Sequence, residues 1–577
     1  MQYKSSSRSG VASKKNRDSG QEKLLRAFAL HEQGELQQAA AIYKEILQSD
    51  PKNFDALHLL GVIYFQKNDY ENSINLIKKA IDLYPANSVF HSNLGNSLKA
   101  IGNLDSAIIS YLKAIKINPN AADTYTNLGS ALHEQKKYGE ALKNYDRSID
   151  MTPQSAVAHF NRGVTLQAMG QLTPASAAYQ QAIKVQPQFT PAYINLGVLH
   201  VMHNQLTQAL GCYDRALQLS PGSAEAYINR GKAHQELGAF GAAMADFEQA
   251  VALNPQFAAA HWNKSLLLLL QGDFEQGWPL YEWRWQTGDT RFVLQRQWSK
   301  PRWSGAEALA NKTLLIHSEQ GLGDTLQFCR YIKLAAQRGA RVVLEVTPPL
   351  MGLMSTVEHI SELVVRGQPL PAYDYHCPML SLPLAFGTNL PSVPACLPYL
   401  FIEQSRSRAW QKHIGTHGFR VGISWQGNTA IGDPDRSFQL RLLENISKLA
   451  EVRLISLQKN AGAEQLLSLP QGMVVEQLPA DFDTGANAFL DTAALLVHLD
   501  LVISCDTSLG HLAGGLGLPV WLALRHVPDW RWMLNRNDSP WYPKHRLFRQ
   551  PTHGDWASVF NDMELQLGVL LKTQIKP

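Results

Sequence analysis

The sequence predicts an all-α helical-repeat solenoid followed by an α/β region of two Rossmann-like lobes. Two periodicities carry that reading. Glycines at 61, 95, 129, 163, 197 and 231 and prolines at 51, 85, 119, 153, 187, 221 and 255 recur every 34 residues. From Lys312 onward, short β-branched runs alternate with helical stretches, the pattern of a parallel sheet. A chain of 577 residues needs more than one folding unit in any case, because a single domain averages about 150 residues.

The repeats are expected to tile residues 20–291 as eight 34-residue units. Twelve positions after each glycine stands a small residue (Ala107, Ala141, Ala175, Ala209, Ala243), and sixteen after it an aromatic (Tyr111, Tyr145, Tyr179, Tyr213, Phe247). The small residues let two antiparallel helices approach, the ring fills the gap between them, and proline ends the second helix. These are the tetratricopeptide positions. Ala27 and Ser265 replace the glycine in the terminal units, as expected where an array is capped or joined. Two residues before each glycine stands an asparagine: Asn93, Asn127, Asn161, Asn195, Asn229 and Asn263. Six amides on the inner helices would form a ladder able to pair with the backbone of an extended polypeptide, whatever its side chains. The alternative is that each amide bonds within its own neighbouring helices.

Residues 292–311 form a Trp-rich junction, and Trp278, Trp283, Trp285, Trp298 and Trp303 are expected to pack rigidly around it. Residues 312–405 make the first α/β lobe, with strands in TLLIHSE, RVVLEV and LVV. Residues 406–577 make the second, with strands in FRVGISW, VRLISLQ, MVVEQL, DLVISCD and PVWLAL. The proline-rich stretch 369–418 reads as a linker or irregular lobe edge.

Ligands of such sheets bind beyond the carboxyl ends of the strands. There the first lobe offers Glu319, then Gly321, Gly323 and Asp324 at a turn into a helix, with glycines that permit close ligand approach. The second offers Asp506, Thr507 and Ser508 at the mouth of a helix carrying His511, where free N–H groups and hydroxyls suit a phosphate and an acid can hold sugar hydroxyls. A shared site requires the turn at Asp324 and the helix mouth at Thr507 to face each other across one crevice. Arg436 and Lys459 are the cations at second-lobe strand ends, with solvated surface charge as the alternative. Trp425, beside Gln426 and Asn428, either packs on a donor base or belongs to the core. Asp324 is a candidate general base or a helix cap, with Glu319 as its substitute. His511 contacts a donor or bonds within its own helix, and His317 is structural.

GLGDTLQF (321–328) together with DTSLGHLAGGLGLPVW (506–521) resembles the bacterial heptosyltransferase family, two-lobed glycosyltransferases of GT-B type, over most of 312–550. The resemblance implies Asp324 as general base. It implies Asp506, Thr507 and His511 as contacts to the donor's sugar and diphosphate, with the backbone at Ser508 meeting phosphate. It makes 312–405 the acceptor side and 406–577 the nucleotide-sugar side. The asparagine ladder resembles that of protein O-linked N-acetylglucosamine transferases. The tail PDWRWMLNRNDSPWYPKHRLFRQ resembles a subgroup in which tetratricopeptide repeats are fused to the transferase domain.

Composition narrows the remaining classes. Apolar residues (45%) far outnumber charged ones (18%), which excludes a disordered polyelectrolyte, and no uncharged apolar run reaches the ~18 residues of a membrane span. Lys plus Arg (53) nearly balance Asp plus Glu (49), so charge gives no warrant for nucleic-acid binding. Cys212, Cys329, Cys377, Cys396 and Cys505 lie apart with no CxxC pair, which argues against a disulfide framework or a zinc site. Residues 1–19 read as a flexible leader without the apolar stretch of a secretory signal, and the cytoplasm is the expected location.

The expected function is inverting, metal-independent glycosyl transfer from a nucleotide sugar, a co-substrate rather than a cofactor, to a polypeptide acceptor held by the repeats. No Asp-x-Asp metal motif stands at a suitable strand end. Two alternatives remain: a protein-interaction scaffold whose α/β half is inactive, and a transferase acting on a glycan or lipid. Tetratricopeptide surfaces also often self-associate, which admits a homo-oligomer.

Overall fold

The computed structural model describes residues 14–289, 296–427, 434–484 and 488–574. Its contacts divide the chain into two compact units, Met1–Pro221 and Gly222–Pro577.

The first unit is a run of paired helices, from Lys14–Glu32 and Leu36–Ser49 through Thr190–Met202 and Leu206–Leu219. Several start where a side chain satisfies an orphan N–H of the first turn: Asn53 accepts from Ala56, Asp69 from Asn72, Asn103 from Ser106 and Ser155 from Ala158. The phased glycines work by contact. A Cβ on Gly95 would lie 2.5 Å from Tyr111, on Gly129 2.7 Å from Tyr145 and on Gly163 2.6 Å from Tyr179. Each of these rings is fully buried. The aromatic therefore lies flat on the bare backbone of the preceding helix, and only glycine leaves room for it. The opening helix already begins at Lys14, inside the expected leader, because Lys14–Phe28 holds mostly good helix formers and no proline.

The second unit opens with the helices Ala224–Glu236, Phe240–Leu253, Ala258–Gln271 and Phe274–Tyr281, which keep the same rule, with Gly231 against Phe247. Two parallel sheets follow. The first has order β3-β2-β1-β4, from β1 (Thr313–His317), β2 (Arg341–Val346), β3 (Ile360–Val365) and β4 (Tyr375–Pro378). The second has order β10-β9-β8-β5-β6-β7, from β5 (Phe419–Ser424), β6 (Val452–Ser456), β7 (Val475–Glu476), β8 (Leu501–Cys505), β9 (Val520–Leu524) and β10 (His545–Arg549). All eight expected strands are present, although MVVEQL is reduced to the two residues of β7.

The stretch 369–418 is less irregular than expected: it contains β4 and the helix Gln404–Ile414. Four residues ending in proline are too short to show a period in the sequence, and pairing with β1 makes them a strand. β10 is likewise hidden in the charged tail. One continuous apolar core runs from Phe247, Leu269 and Trp278 through Leu314, Ile316 and Leu344 to Leu522, Trp532 and Trp541. The last repeat helices thus share a core with the sheets. A second core packs Val421, Ile423 and Trp425 against Phe560, Met563 and Leu567 of the final helix, Trp556–Gln574.

Gly163→Ala forces its methyl into Tyr179, so a destabilisation of about 1–3 kcal/mol is expected in thermal or urea unfolding. Gly139→Ala, on an exposed helix position with nothing within 4 Å, should instead be neutral or slightly stabilising.

Candidate functional site

Just beyond the carboxyl end of β1, Glu319 points into the protein rather than into a cleft. It is 2% exposed and forms a two-pronged ion pair with the fully buried Arg284, whose Nε and Nη2 donate at 3.0 and 2.9 Å. The N–H of Leu380 adds a third bond at 2.8 Å. Burial pushes the Glu319 carboxyl upward and Arg284 offsets it. With both oxygens engaged away from solvent, Glu319 is a structural anion and not a substitute base. Of the tryptophans expected at the junction, Trp278 and Trp303 are buried, whereas Trp283, Trp285 and Trp298 are half-buried. Trp278 is buried, donates to the carbonyl of Thr388 at 3.0 Å and meets Trp530 edge-on at 5.3 Å. Trp298 stacks on His317 and His376.

Two residues further, Gly321 caps the helix Leu322–Phe328, and its N–H donates to Asp324 Oδ2 at 2.8 Å. Asp324 is thus the third residue of the helix, reaching back to its cap, rather than the cap itself. Its other oxygen accepts from Arg531 Nη2. Burial raises the Asp324 carboxyl, opposed first by Arg531 and then by the Gly321 N–H. Gly323 meets protein: a Cβ there would lie 3.0 Å from His511 Cδ2 and 3.4 Å from Ser508 Cα. The turn and the helix mouth are therefore in contact at Gly323, where side chain and backbone fill the crevice expected between them.

On the opposite side, β8 delivers Asp506, Thr507 and Ser508, all half-buried, to the helix Ser508–Gly515. Thr507 caps the helix through its backbone while its hydroxyl meets Ser504 Oγ at 3.1 Å. Asp506 is pushed up to about 6, chiefly by burial and then by the Asp529 carboxylate, with Arg531 and Arg436 acting against the shift. The buried indole N–H of Trp532 lies close enough to favour the Asp506 anion without completing a well-formed hydrogen bond. His511 is buried, its Nδ1 2.9 Å from the Tyr542 hydroxyl and its ring stacked on Trp532. Burial first, then Arg531, holds it well below the ordinary histidine range, so it is neutral.

The other donor-side candidates separate. Arg436 acts electrostatically on Asp506 and lies beside Gly427. Lys459 turns away, its ammonium bound to the carbonyls of Phe482 and, at 2.9 Å, Asp483. Trp425 is fully buried and donates to the Gly462 carbonyl at 3.0 Å, so it belongs to the core and cannot stack on a donor base. Asn428 lies outside the described residues.

Sequence reasoning missed the organising group, Arg531. It donates to Asp324, to Asp529 Oδ1 at 2.9 Å and to Gln327 Oε1 at 2.7 Å. The signal was available: PDWRW follows β9, so it too lies beyond the carboxyl end of a strand.

The ladder asparagines are all half-buried. Asn93 Nδ2 lies 2.8 Å from His58 Nε2, Asn195 Nδ2 donates to the Tyr179 hydroxyl at 3.4 Å, and Asn263 Nδ2 donates to the Ala259 carbonyl at 2.7 Å. These three bond partly within the array. Asn127, Asn161 and Asn229 carry no such side-chain bond among the described residues.

Glu319→Gln should cost about 3 kcal/mol or more in chemical unfolding, because it leaves the Arg284 cation buried with less compensation. Asp506 titrates above its unfolded value of 3.8, so the native state loses stability as pH rises from about 4 to about 6. Asp506→Asn should therefore raise the melting temperature at pH 7.5, and the gain should vanish by pH 4.

Tetratricopeptide-repeat models match residues 30–74, 95–136, 120–188, 160–224 and 196–267. Protein FlbA of Caulobacter vibrioides is 26% identical over 332 residues, 51% of this chain and 52% of FlbA. The probable UDP-N-acetylglucosamine-peptide N-acetylglucosaminyltransferase SEC of Arabidopsis thaliana is 31% identical over 90 residues, 16% of this chain and 9% of that protein. The chain thus spans about half of FlbA and a small part of SEC. Among solved structures, pilF of Pseudomonas aeruginosa is 20% identical with a TM-score of 0.32, over 35% of this chain and 92% of that one. YrrB, a tetratricopeptide protein, is 22% identical with a TM-score of 0.28, over 33% and 98%. The N-terminal half of the chain carries tetratricopeptide repeats, the architecture of a protein-interaction scaffold, and parallel sheets follow it.

Proposed function

We propose that the chain is a glycosyltransferase built on a protein-interaction scaffold, moving a sugar from a nucleotide-diphosphate donor to a polypeptide held by the repeats. One observation carries the reading: the Gly321–Asp324 turn touches the Asp506–His511 helix mouth, within a single cluster of Asp324, Asp506, Asp529, Arg531 and Arg436. Transfer needs a base for the acceptor and N–H groups or cations for the leaving diphosphate. Asp324 is the base in this reading. Asp506 holds donor hydroxyls, and the N-terminus at Thr507 and Ser508, with Arg436, receives phosphate. The half-buried amides of Asn127 and Asn161 are the rungs on which an acceptor backbone is held.

A second reading, a scaffold with an inactive α/β half, is favoured by one specific feature: the Asp324 carboxylate is already occupied by Arg531 and the Gly321 N–H. The deciding experiment incubates the purified chain with UDP-, GDP-, ADP- and dTDP-sugars and cell extract and reads nucleoside diphosphate release. Release that falls by about two orders of magnitude in both Asp324→Asn and Asp506→Asn supports transfer. No release from any donor by folded protein overturns it. Combined Asn161→Ala, Asn195→Ala and Asn229→Ala should weaken a polypeptide acceptor at least tenfold, whereas a glycan or lipid acceptor should be unaffected.

A further inference from the structure

A role for Arg531 in controlling the cluster around it rests on the transferase reading and deepens it. The Arg531 side chain is only 9% exposed, yet its two carboxylate partners both reach solvent, Asp324 at 17% and Asp529 at 37%. The guanidinium also stacks on Trp530 at 4.3 Å and is steered by Gln327. One cation is thus shared between two anions, with a third, Asp506, close enough to feel it. Lys459 is committed to backbone carbonyls, and Arg330, which acts on His511, is committed to the carbonyls of Pro394 and Trp541 and to the Tyr399 hydroxyl; Arg531 and Arg436 act on Asp506 at the helix mouth. A diphosphate is the stronger competitor for a planar, five-donor guanidinium than a single carboxylate oxygen.

We infer that Arg531 is an exchangeable counter-ion: an arriving diphosphate draws its guanidinium off Asp324, and this exchange turns Asp324 from an ion-paired carboxylate into the acceptor's base. While paired, the Asp324 anion is stabilised by Arg531 and is a weak base. Once the cation has moved, burial acts with less opposition and the carboxylate holds a proton more firmly. In the transfer step the acceptor's proton passes to Asp324 Oδ1, and its heteroatom bonds to the anomeric carbon. The bond from that carbon to the diphosphate oxygen breaks with its electron pair on the diphosphate, where the new charge meets Arg531. Acceptor activation is thereby coupled to the presence of donor, and Asp529 keeps Arg531 anchored throughout.

The test is calorimetric binding of UDP, GDP, ADP and inorganic pyrophosphate to the full chain and to Arg531→Gln, Arg531→Lys and Asp324→Asn. Whichever diphosphate binds the native chain should bind Arg531→Gln at least tenfold more weakly and Arg531→Lys with an intermediate loss. Asp324→Asn should bind it about three- to tenfold more tightly, because the competitor for Arg531 has been removed. A merely structural ion pair predicts that both sides of the pair weaken binding together, which overturns the exchange, as does unchanged affinity in Arg531→Gln. If Arg531→Gln fails to fold, the opposite signs in Arg531→Lys and Asp324→Asn still decide. If the native chain binds none of the four probes, the transferase reading itself fails. Native binding with no opposite-signed effects sinks only the exchange.

Discussion

A missing Cβ governs how both halves of this protein pack. In the repeats, Gly95, Gly129 and Gly163 each leave room for a tyrosine ring that would otherwise collide with the preceding helix. In the sheet-bearing unit, Gly323 leaves room for the edge of His511 and the backbone of Ser508. In the repeats the ring comes closer than a Cβ leaves room for, and at Gly323 a Cβ would fit only tightly. The repeat contact recurs and builds length. The lobe contact joins two strand ends whose residues are otherwise remote in sequence.

What that closeness brings together is charge. Arg284 with Glu319 and Arg531 with Asp324 are both arginine–carboxylate pairs removed from bulk water, but they differ in consequence. Around Arg284 the acceptors are Glu319, Glu282, Ser381 and a carbonyl, and the guanidinium is fully buried, so the pair fixes the junction of helices and first sheet. Around Arg531 the anions outnumber the cation and keep contact with solvent, so the balance there is sensitive to any further anion. Two pairs of the same composition therefore serve rigidity in one place and responsiveness in the other.

The motif residues were legible because each stands directly after a strand, where a parallel sheet presents its ligands. Asp324, Asp506, Thr507 and His511 were found that way and are drawn to one place. Their roles were not legible, because the role depends on partners far along the chain. Glu319 follows β1 more closely than Asp324 does, yet an arginine 35 residues upstream claims it. Lys459 follows β6 and is taken by carbonyls at 482 and 483. Trp425 follows β5 and is swallowed by the core beneath the final helix.

By itself, then, the sequence determined the periodic half almost completely: the spacing of glycine, alanine, aromatic and proline specifies each hairpin through contacts within a few dozen residues. It determined the class of the second half through alternating strands and helices, for the same local reason. Only the tertiary structure decided which polar groups share a partner, since that depends on packing between segments about two hundred residues apart, as between Asp324 and Arg531. Local pattern sets the helices because their hydrogen bonds are short-range, and it marks the strands through short apolar runs even though their ladders join distant segments, as Val421 does with Leu501. The state of a buried charge is set by whichever distant group the fold places against it.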